Sequence, residues 1–462
     1  MLTYDMGNRG TLARYDYLYR CIKEDILSGR LTAGEKLPSK RGLAEHLEVA
    51  VVTVENAYAQ LVAEGYLYAR EKRGYFVSAL EEKRSPGHLS EIPAPKEERE
   101  EQKWLLDLRA GGGVTKGFPF TVWAKLTRRV LTERGEELLQ ATPHNGAAEL
   151  RRAIAAHLYR FQGIQADPEQ IVVGAGTEYL YNLLVQLLGR DRKYGAEDPG
   201  YSKSVQIYTL NGAQCRPLPM DEQGVKPEEL GEIQVLHISP NHQFPTGVVT
   251  PIARRQSLLR WAEQGENRYI IEDDYDSEFR FTGRPIPTLK SIDQTGRVIY
   301  MNTFSRSLAP SLRIGYMVLP QELLEPYQRK LGFYSCTVPA IEQYTLASFL
   351  DEGYFDSHIN RMRVRYRSQR DQVIAAIRNS TLKEQAQVLR ENAGLHFLVK
   401  LDTTREDRQL YQLAEERGIR LSFLTDFQRT PKAAAPHTLV IHYPKIQLDS
   451  FQEALEVLAG LL

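Results

Sequence analysis

The chain has 462 residues, 42% of them hydrophobic, enough for two or more domains around a sizeable core. Its 59 lysines and arginines balance 59 aspartates and glutamates, which excludes a global basic field, so any nucleic-acid surface must be local. Three scattered cysteines, Cys21, Cys215 and Cys336, form no C-x-x-C and argue against a disulfide framework and a zinc site. No run of about 20 apolar residues points to a membrane span, and the opening residues carry no apolar signal core, so a cytoplasmic location is expected.

Residues 14–78 read as three short helices and a hairpin. Leu18, Ile22 and Ile26 recur at helical spacing up to Gly29. Ser39 can cap a second helix with Leu43, Ala44 and Leu47 inward, and a third shows Val54, Ala57, Tyr58 and Leu61 at i, i+3, i+4, i+7. After Gly65, residues 66–77 can turn back near Lys72, Arg73 and Gly74. This order describes a winged helix-turn-helix, expected over residues 11–80. L-P-S-K-R-G-L-A and T-V-E-N-A-Y-A-Q-L-V-A-E-G-Y-L resemble the GntR-type DNA-binding domain. That resemblance implies double-stranded DNA as a partner. Arg41 would approach the duplex, Lys40 would lie on phosphate, Thr53 would face the groove, and Lys72 and Arg73 would ride on the wing. Ala50-Val51 stands where the family usually has serine-arginine or threonine-arginine, and Glu55 adds an anion, so altered specificity is expected. Residues 1–80 carry 11 lysines and arginines against 10 acids.

Residues 81–103 are dense in charge and contain three prolines, which predicts a linker. From 104 to 462, helical patterns alternate with short apolar runs such as Ile171–Val173, Val235–Ile238, Tyr269–Ile271 and Val298–Tyr300. The alternation predicts an α/β fold with a mostly parallel sheet and ligand groups at the carboxyl ends of its strands.

Five motifs fall at those ends. Gly174–Thr177 opens a helix, where free N–H groups can hold an anion. Then come E-D-P-G-Y ending at Tyr201, S-P-N-H-Q-F-P-T-G from Ser239, I-I-E-D-D-Y-D-S-E-F from Ile270, and N-T-F-S-R-S-L-A-P-S-L-R-I-G-Y from Asn302. The acidic run could hold a metal, but strand alternation turns its side chains to opposite faces and no histidine accompanies it at ligand spacing, so no metal is expected.

In this order the motifs resemble those of fold-type I pyridoxal 5'-phosphate (PLP) proteins, in the version carried by MocR/GabR-type regulators. The resemblance implies a fold-type I aminotransferase-like domain for effector binding and dimerisation, hence a homodimer. It places the cofactor among Gly176, Thr177, Tyr201, Asn241, His242, Asp273, Tyr275, Thr303, Ser305, Arg306 and Arg313. Asp273 would meet the pyridine nitrogen, Tyr275 the phenolic oxygen and Arg313 the phosphate.

Arg306 stands where the family has the Schiff-base lysine. A guanidinium stays protonated and offers no amine nucleophile. The reading of the residues leaves three outcomes open: PLP bound without a covalent link, another anionic ligand on Arg306, or a structural relic. No catalytic residue is assigned. A small-molecule effector, an amino acid, an amine or a PLP-related molecule, would meet Lys203, Asp426, Arg429 or His442, the last standing where the family generally has glycine. The expected function is a DNA-binding transcriptional regulator without transaminase turnover; the alternative is a PLP-dependent enzyme with a vestigial head.

Overall fold

Three helices and a two-stranded hairpin make the first of two compact units, which divide the chain into Met1–Gln102 and Lys103–Leu462. The computed structural model describes residues 2–80, 104–109, 117–281, 286–431 and 435–462. The linker expected over 81–103 lies outside them.

In the first unit, α1 (Arg14–Leu27), α2 (Lys40–His46) and α3 (Val51–Ala63) close over Leu18, Ile22, Leu43, Val54, Ala57 and Leu61, all fully buried. The Ser39 hydroxyl caps α2 by accepting from the Gly42 N–H at 3.1 Å. Ala50 offers α3 no such cap, so its first N–H groups have no side-chain acceptor there. The buried Tyr58 donates to the Pro38 carbonyl at 3.1 Å and fixes α3 against the approach to α2. Strands β1 (Leu67–Arg70) and β2 (Gly74–Val77) pair antiparallel, Leu67 opposite Val77, with Lys72 in the connecting turn at φ +56°. This is the winged helix-turn-helix that the sequence pattern predicts.

The second unit begins with β3 (Leu106–Asp107), α4 (Phe120–Arg134) and α5 (Ala148–Gln162). Its main sheet contains β4 (Ile171–Gly174), β5 (Lys193–Asp198), β6 (Gln214–Asp221), β7 (Gly224–Val225) and β8 (Val235–Ile238). It is completed by β9 (Tyr269–Asp273), β10 (Val298–Thr303) and β11 (Gly315–Val318), in the order β4-β11-β10-β9-β8-β5-β6-β7. Parallel pairing links β10 to β9, β9 to β8, β8 to β5 and β5 to β6. Because β11 runs against both β10 and β4, β4 points the same way as the parallel set. The carboxyl ends of β4, β5, β8, β9 and β10 therefore lie along one edge.

Alternation sorts the strand residues to two faces. Val172, Ile271, Ile299 and Met301 pack with α6 (Thr177–Leu188), while Ile270 and Val298 meet Leu258 and Trp261 of the helix Ile252–Glu263. A smaller sheet of β12 (Ala386–Leu389), β13 (His396–Leu401) and β15 (Thr438–His442) pairs His396 with His442, and β14 (Ile419–Arg420) joins β3. The long helix Tyr354–Asn379 buries Phe355, Met362 and Tyr366 in one core with Phe397 and Tyr300.

Leu61 is fully buried where α3 meets the rest of the head core. Leu61→Ala is expected to cost about 3 kcal/mol. Amide hydrogen exchange should show lost protection over Arg14–Val77 and little change in the strands of the second unit.

Candidate ligand site and nucleic-acid interface

Asp273 ends β9 and is 8% exposed. Its Oδ2 accepts from the Tyr181 hydroxyl of α6 and faces His237 Nε2 at 3.5 Å, and His237 Nδ1 meets the Tyr208 hydroxyl at 2.7 Å. Its Oδ1 is buried and has no partner among the described residues. A buried carboxylate oxygen without a donor is costly, so this atom fits a ligand N–H. Burial, then the Asp273 charge, drives the Tyr181 hydroxyl pKa far above its ordinary range and keeps it a donor.

The neighbouring acids turn to separate partners. Glu272 accepts from the Leu289 and Lys290 N–H groups, both at 2.8 Å. Asp274 accepts from Asn241 at 3.0 Å and from Gln162 and Tyr300, both at 2.7 Å. Asp276 holds His242 Nδ1 at 2.9 Å, and the Leu395 N–H reaches its other oxygen at 3.3 Å. That approach needs Gly394 (φ +70°), since a Cβ there would lie 2.1 Å from Asp276 Oδ2. Burial opposes a charge on His242, but Asp276 prevails and its pKa is raised. Glu278 accepts from Asn302 at 3.3 Å, and its second oxygen is buried without a partner among the described residues. No group of three or more His, Cys, Asp or Glu among the described residues is arranged to hold a metal ion.

The other expected contacts fall around this row. Tyr275 donates to the His242 carbonyl at 3.0 Å. Asn241 is braced on both sides: its amide donates to Asp274 while its carbonyl accepts from Arg255 at 2.9 Å. Thr303 caps the turn Phe304–Ser307 by accepting from the Ser305 N–H at 3.2 Å. From that turn Arg306 Nη1 donates to His442 Nε2 at 3.3 Å. Burial, then the Arg306 charge, pushes His442 well below its usual pKa, so it stays neutral and accepts. Tyr201, Tyr275 and His396 also lie within electrostatic reach of Arg306.

At the start of α6, Gly176 (φ +88°) lets the Arg313 guanidinium lie against the backbone, where a Cβ would come within 2.8 Å of Nη2. Thr177 is the first residue of the helix. Glu178 holds Arg313 at 3.3 Å and Lys203 at 2.9 Å, so the structure joins two cations that the sequence reading kept apart.

Two expected effector contacts have partners within the chain. Asp426 is exposed and accepts from the Tyr411 hydroxyl and, at 2.9 Å, the Phe423 N–H. Arg429 reaches the end of β5, its Nη2 donating to the Glu197 carbonyl at 2.6 Å and its backbone N–H to Asp198 at 2.8 Å, while its Nε and Nη1 are buried with no partner among the described residues. Sequence reasoning missed Tyr181, His237, Gln162 and Glu178; only the place of Tyr181, four residues along the helix from Thr177, could have pointed to one of them.

Residues 110–436 match the family described as aminotransferase class I and II, and residues 14–77 match the bacterial regulatory proteins of the gntR family. The HTH-type regulator YdeL of Bacillus subtilis is 39% identical over 88% of both chains. The probable rhizopine catabolism regulatory protein MocR of Rhizobium meliloti is 32% identical over 96% of this chain and 92% of its own. The chain belongs to the MocR-type regulator family. PdxR of Corynebacterium glutamicum, a pyridoxine biosynthesis transcriptional regulator, is 31% identical over 88% of this chain and 87% of its own. The solved structure of an archaeal alanine:glyoxylate aminotransferase superposes with a TM-score of 0.68 at 25% identity, over 77% of this chain and 90% of that one.

In the MocR-type head, Arg41 is exposed at the start of α2, Thr53 is half-buried in the first turn of α3, and Lys72 and Arg73 are exposed at the wing turn. Lys40, expected on phosphate, is paired with Glu55 at 2.5 Å, with its ammonium 5.6 Å from the Tyr75 ring centre.

Burial, reinforced by the Asp274 charge, raises the Glu278 pKa from 4.5 to about 8. Between those values the folded chain keeps a proton that the unfolded chain sheds, so this group lowers stability as pH rises, by about 1.4 kcal/mol per pH unit. Glu278→Gln keeps the shape without the charge. Its melting temperature should match the native protein at about pH 5 and exceed it by several degrees at about pH 9.

Proposed function

We propose that this chain regulates transcription by binding duplex DNA through its winged helix-turn-helix, and that its body binds PLP reversibly as an effector, without transaminase turnover. The observation that carries the reading is Arg306. Its guanidinium sits in the site, hydrogen-bonded to His442, at the position where the family resemblance expects the lysine that links to the cofactor.

The donor set fits the cofactor. The unpaired Asp273 oxygen would accept from the pyridine nitrogen, with Tyr181 and His237 holding the carboxylate in place. Arg313, the first N–H groups of α6, Thr303 and Ser305 would hold the phosphate. Tyr201 would lie against the ring and Tyr275 near its phenolic oxygen. When bound, PLP supplies an aldehyde and an electron-withdrawing ring. Arg306 can neither attack that aldehyde nor shuttle a proton, since it does not release one at working pH. The likeness to PdxR, a pyridoxine biosynthesis regulator by its name, supports a ligand of this chemistry.

The coupling we propose is a difference in ligand affinity between two arrangements of a homodimer, which is what a regulatory effector requires. The structural likeness to aminotransferases favours the enzyme alternative, and turnover with amino-acid donors above the protein-free rate would establish it.

The test is an absorbance titration with PLP, followed by borohydride reduction, dialysis and intact mass. The wild-type chain should perturb the PLP spectrum and then lose the ligand on dialysis, while Arg306→Lys should retain one pyridoxyl phosphate per chain after reduction. A reduced adduct on the wild-type chain, or no spectral change at all, would overturn the reading. Asp273→Ala should weaken PLP binding at least about tenfold, as expected for loss of a charge-assisted hydrogen bond.

A further inference from the structure

We infer that the exposed face of α3 reads A·T base pairs in the major groove, with Val51 and Val52 against thymine methyl groups and Asn56 against adenine. This rests on the DNA-binding reading above and specifies what the head recognises.

Four observations carry it. Val51 is 44% and Val52 58% exposed, while every apolar residue on the opposite face of the same helix is fully buried. Two adjacent β-branched side chains on the first turn of a helix therefore have apolar surface that the head core does not use. Asn56 is exposed one turn after Val52, so the three side chains form one patch. An amide pairs with the adenine major-groove edge and an aliphatic side chain with the thymine methyl, so the patch matches both partners of an A·T pair.

The exposed face also lacks what would read guanine. Val51, Val52, Glu55, Asn56, Ala59 and Gln60 line it, with no lysine or arginine. Glu55 holds one of the two lysine or arginine side chains of α2, Lys40, at 2.5 Å, while the other, Arg41, stays exposed. The Lys40–Glu55 pair also limits repulsion between Glu55 and phosphate. Gln60 is engaged by Glu64 at 2.7 Å, which directs its amide away from the first turns. The uncapped start of α3 leaves N–H groups for a phosphate, and Arg41, Lys72 and Arg73 supply exposed cations around the patch. Phosphate contacts position the head; Val51, Val52 and Asn56 select the sequence.

The test uses the full chain and duplexes it selects from a random-sequence pool. Thymine is then replaced by deoxyuridine one position at a time, which removes a single methyl group and leaves hydrogen bonding intact. One or two adjacent positions in each half-site should lose affinity by about fourfold each, the factor for one methyl group leaving water. The Val51→Ala, Val52→Ala double variant should lose this sensitivity while keeping the wild-type salt dependence, because no phosphate contact changes. Asn56→Ala should relax the adenine preference at the neighbouring position. Selected half-sites with G·C pairs at their centres, or deoxyuridine without effect on a duplex that binds tightly, would overturn the inference and leave DNA binding intact. A chain that enriches no duplex would overturn the DNA-binding reading itself, and the inference with it.

Discussion

Everything in the body's site follows from placing a row of carboxylates at the end of a buried strand. Glu272, Asp273, Asp274, Asp276 and Glu278 are each less than a tenth exposed, and buried charge is tolerated only with compensation. The surrounding elements supply that compensation in different ways: backbone N–H groups for Glu272, three side-chain donors for Asp274 and an imidazole for Asp276. Glu278 meets its burial by holding a proton. Asp273 and Glu278 each keep one buried oxygen without a partner among the described residues, and Asp273 is the one that ends β9. Its one bare oxygen marks the place where a ligand would complete the network.

The fold was legible because its signals are local. Continuous apolar runs such as Val298–Met301, and the i, i+3, i+4, i+7 face from Val54 to Leu61, each report their own burial. The edge where the site lies followed from the alternation of helices and strands. Asp273, Tyr275, Thr303, Arg306 and Arg313 were legible because they sit inside motifs at strand ends. What was not legible depends on contacts between distant segments. Gln162 reaches Asp274 across 112 positions, Tyr181 reaches Asp273 across 92, and no window of sequence contains either pair. The same limit explains Asp426 and Arg429. Their spacing placed them near a site; Asp426 takes part in a helix cap, and Arg429 reaches the end of β5 with Nε and Nη1 left without a partner among the described residues.

The residues that the sequence suggests are departures from the family pattern have partners in the structure. His442, expected where glycine is usual, is the group that accepts from Arg306. An imidazole so close to a guanidinium could have been repelled. Burial instead keeps it neutral, and a neutral imidazole with its proton on Nδ1 presents Nε2 as an acceptor. In the head, Glu55 adds an anion to the exposed face of α3, and Lys40 meets it at 2.5 Å.

Paired changes of this kind are what a retained function requires. An isolated arginine in a half-buried site, or an isolated glutamate facing phosphate, would carry an unmet electrostatic cost. Here Arg306 and Glu55 each have a neighbour suited to their charge. The pairing of Arg306 with His442 fits the proposal of a site built around a fixed cation. In the proposed site the ligand would be held by charge and hydrogen bonds, and its occupancy would follow its concentration, which is the behaviour a sensor needs.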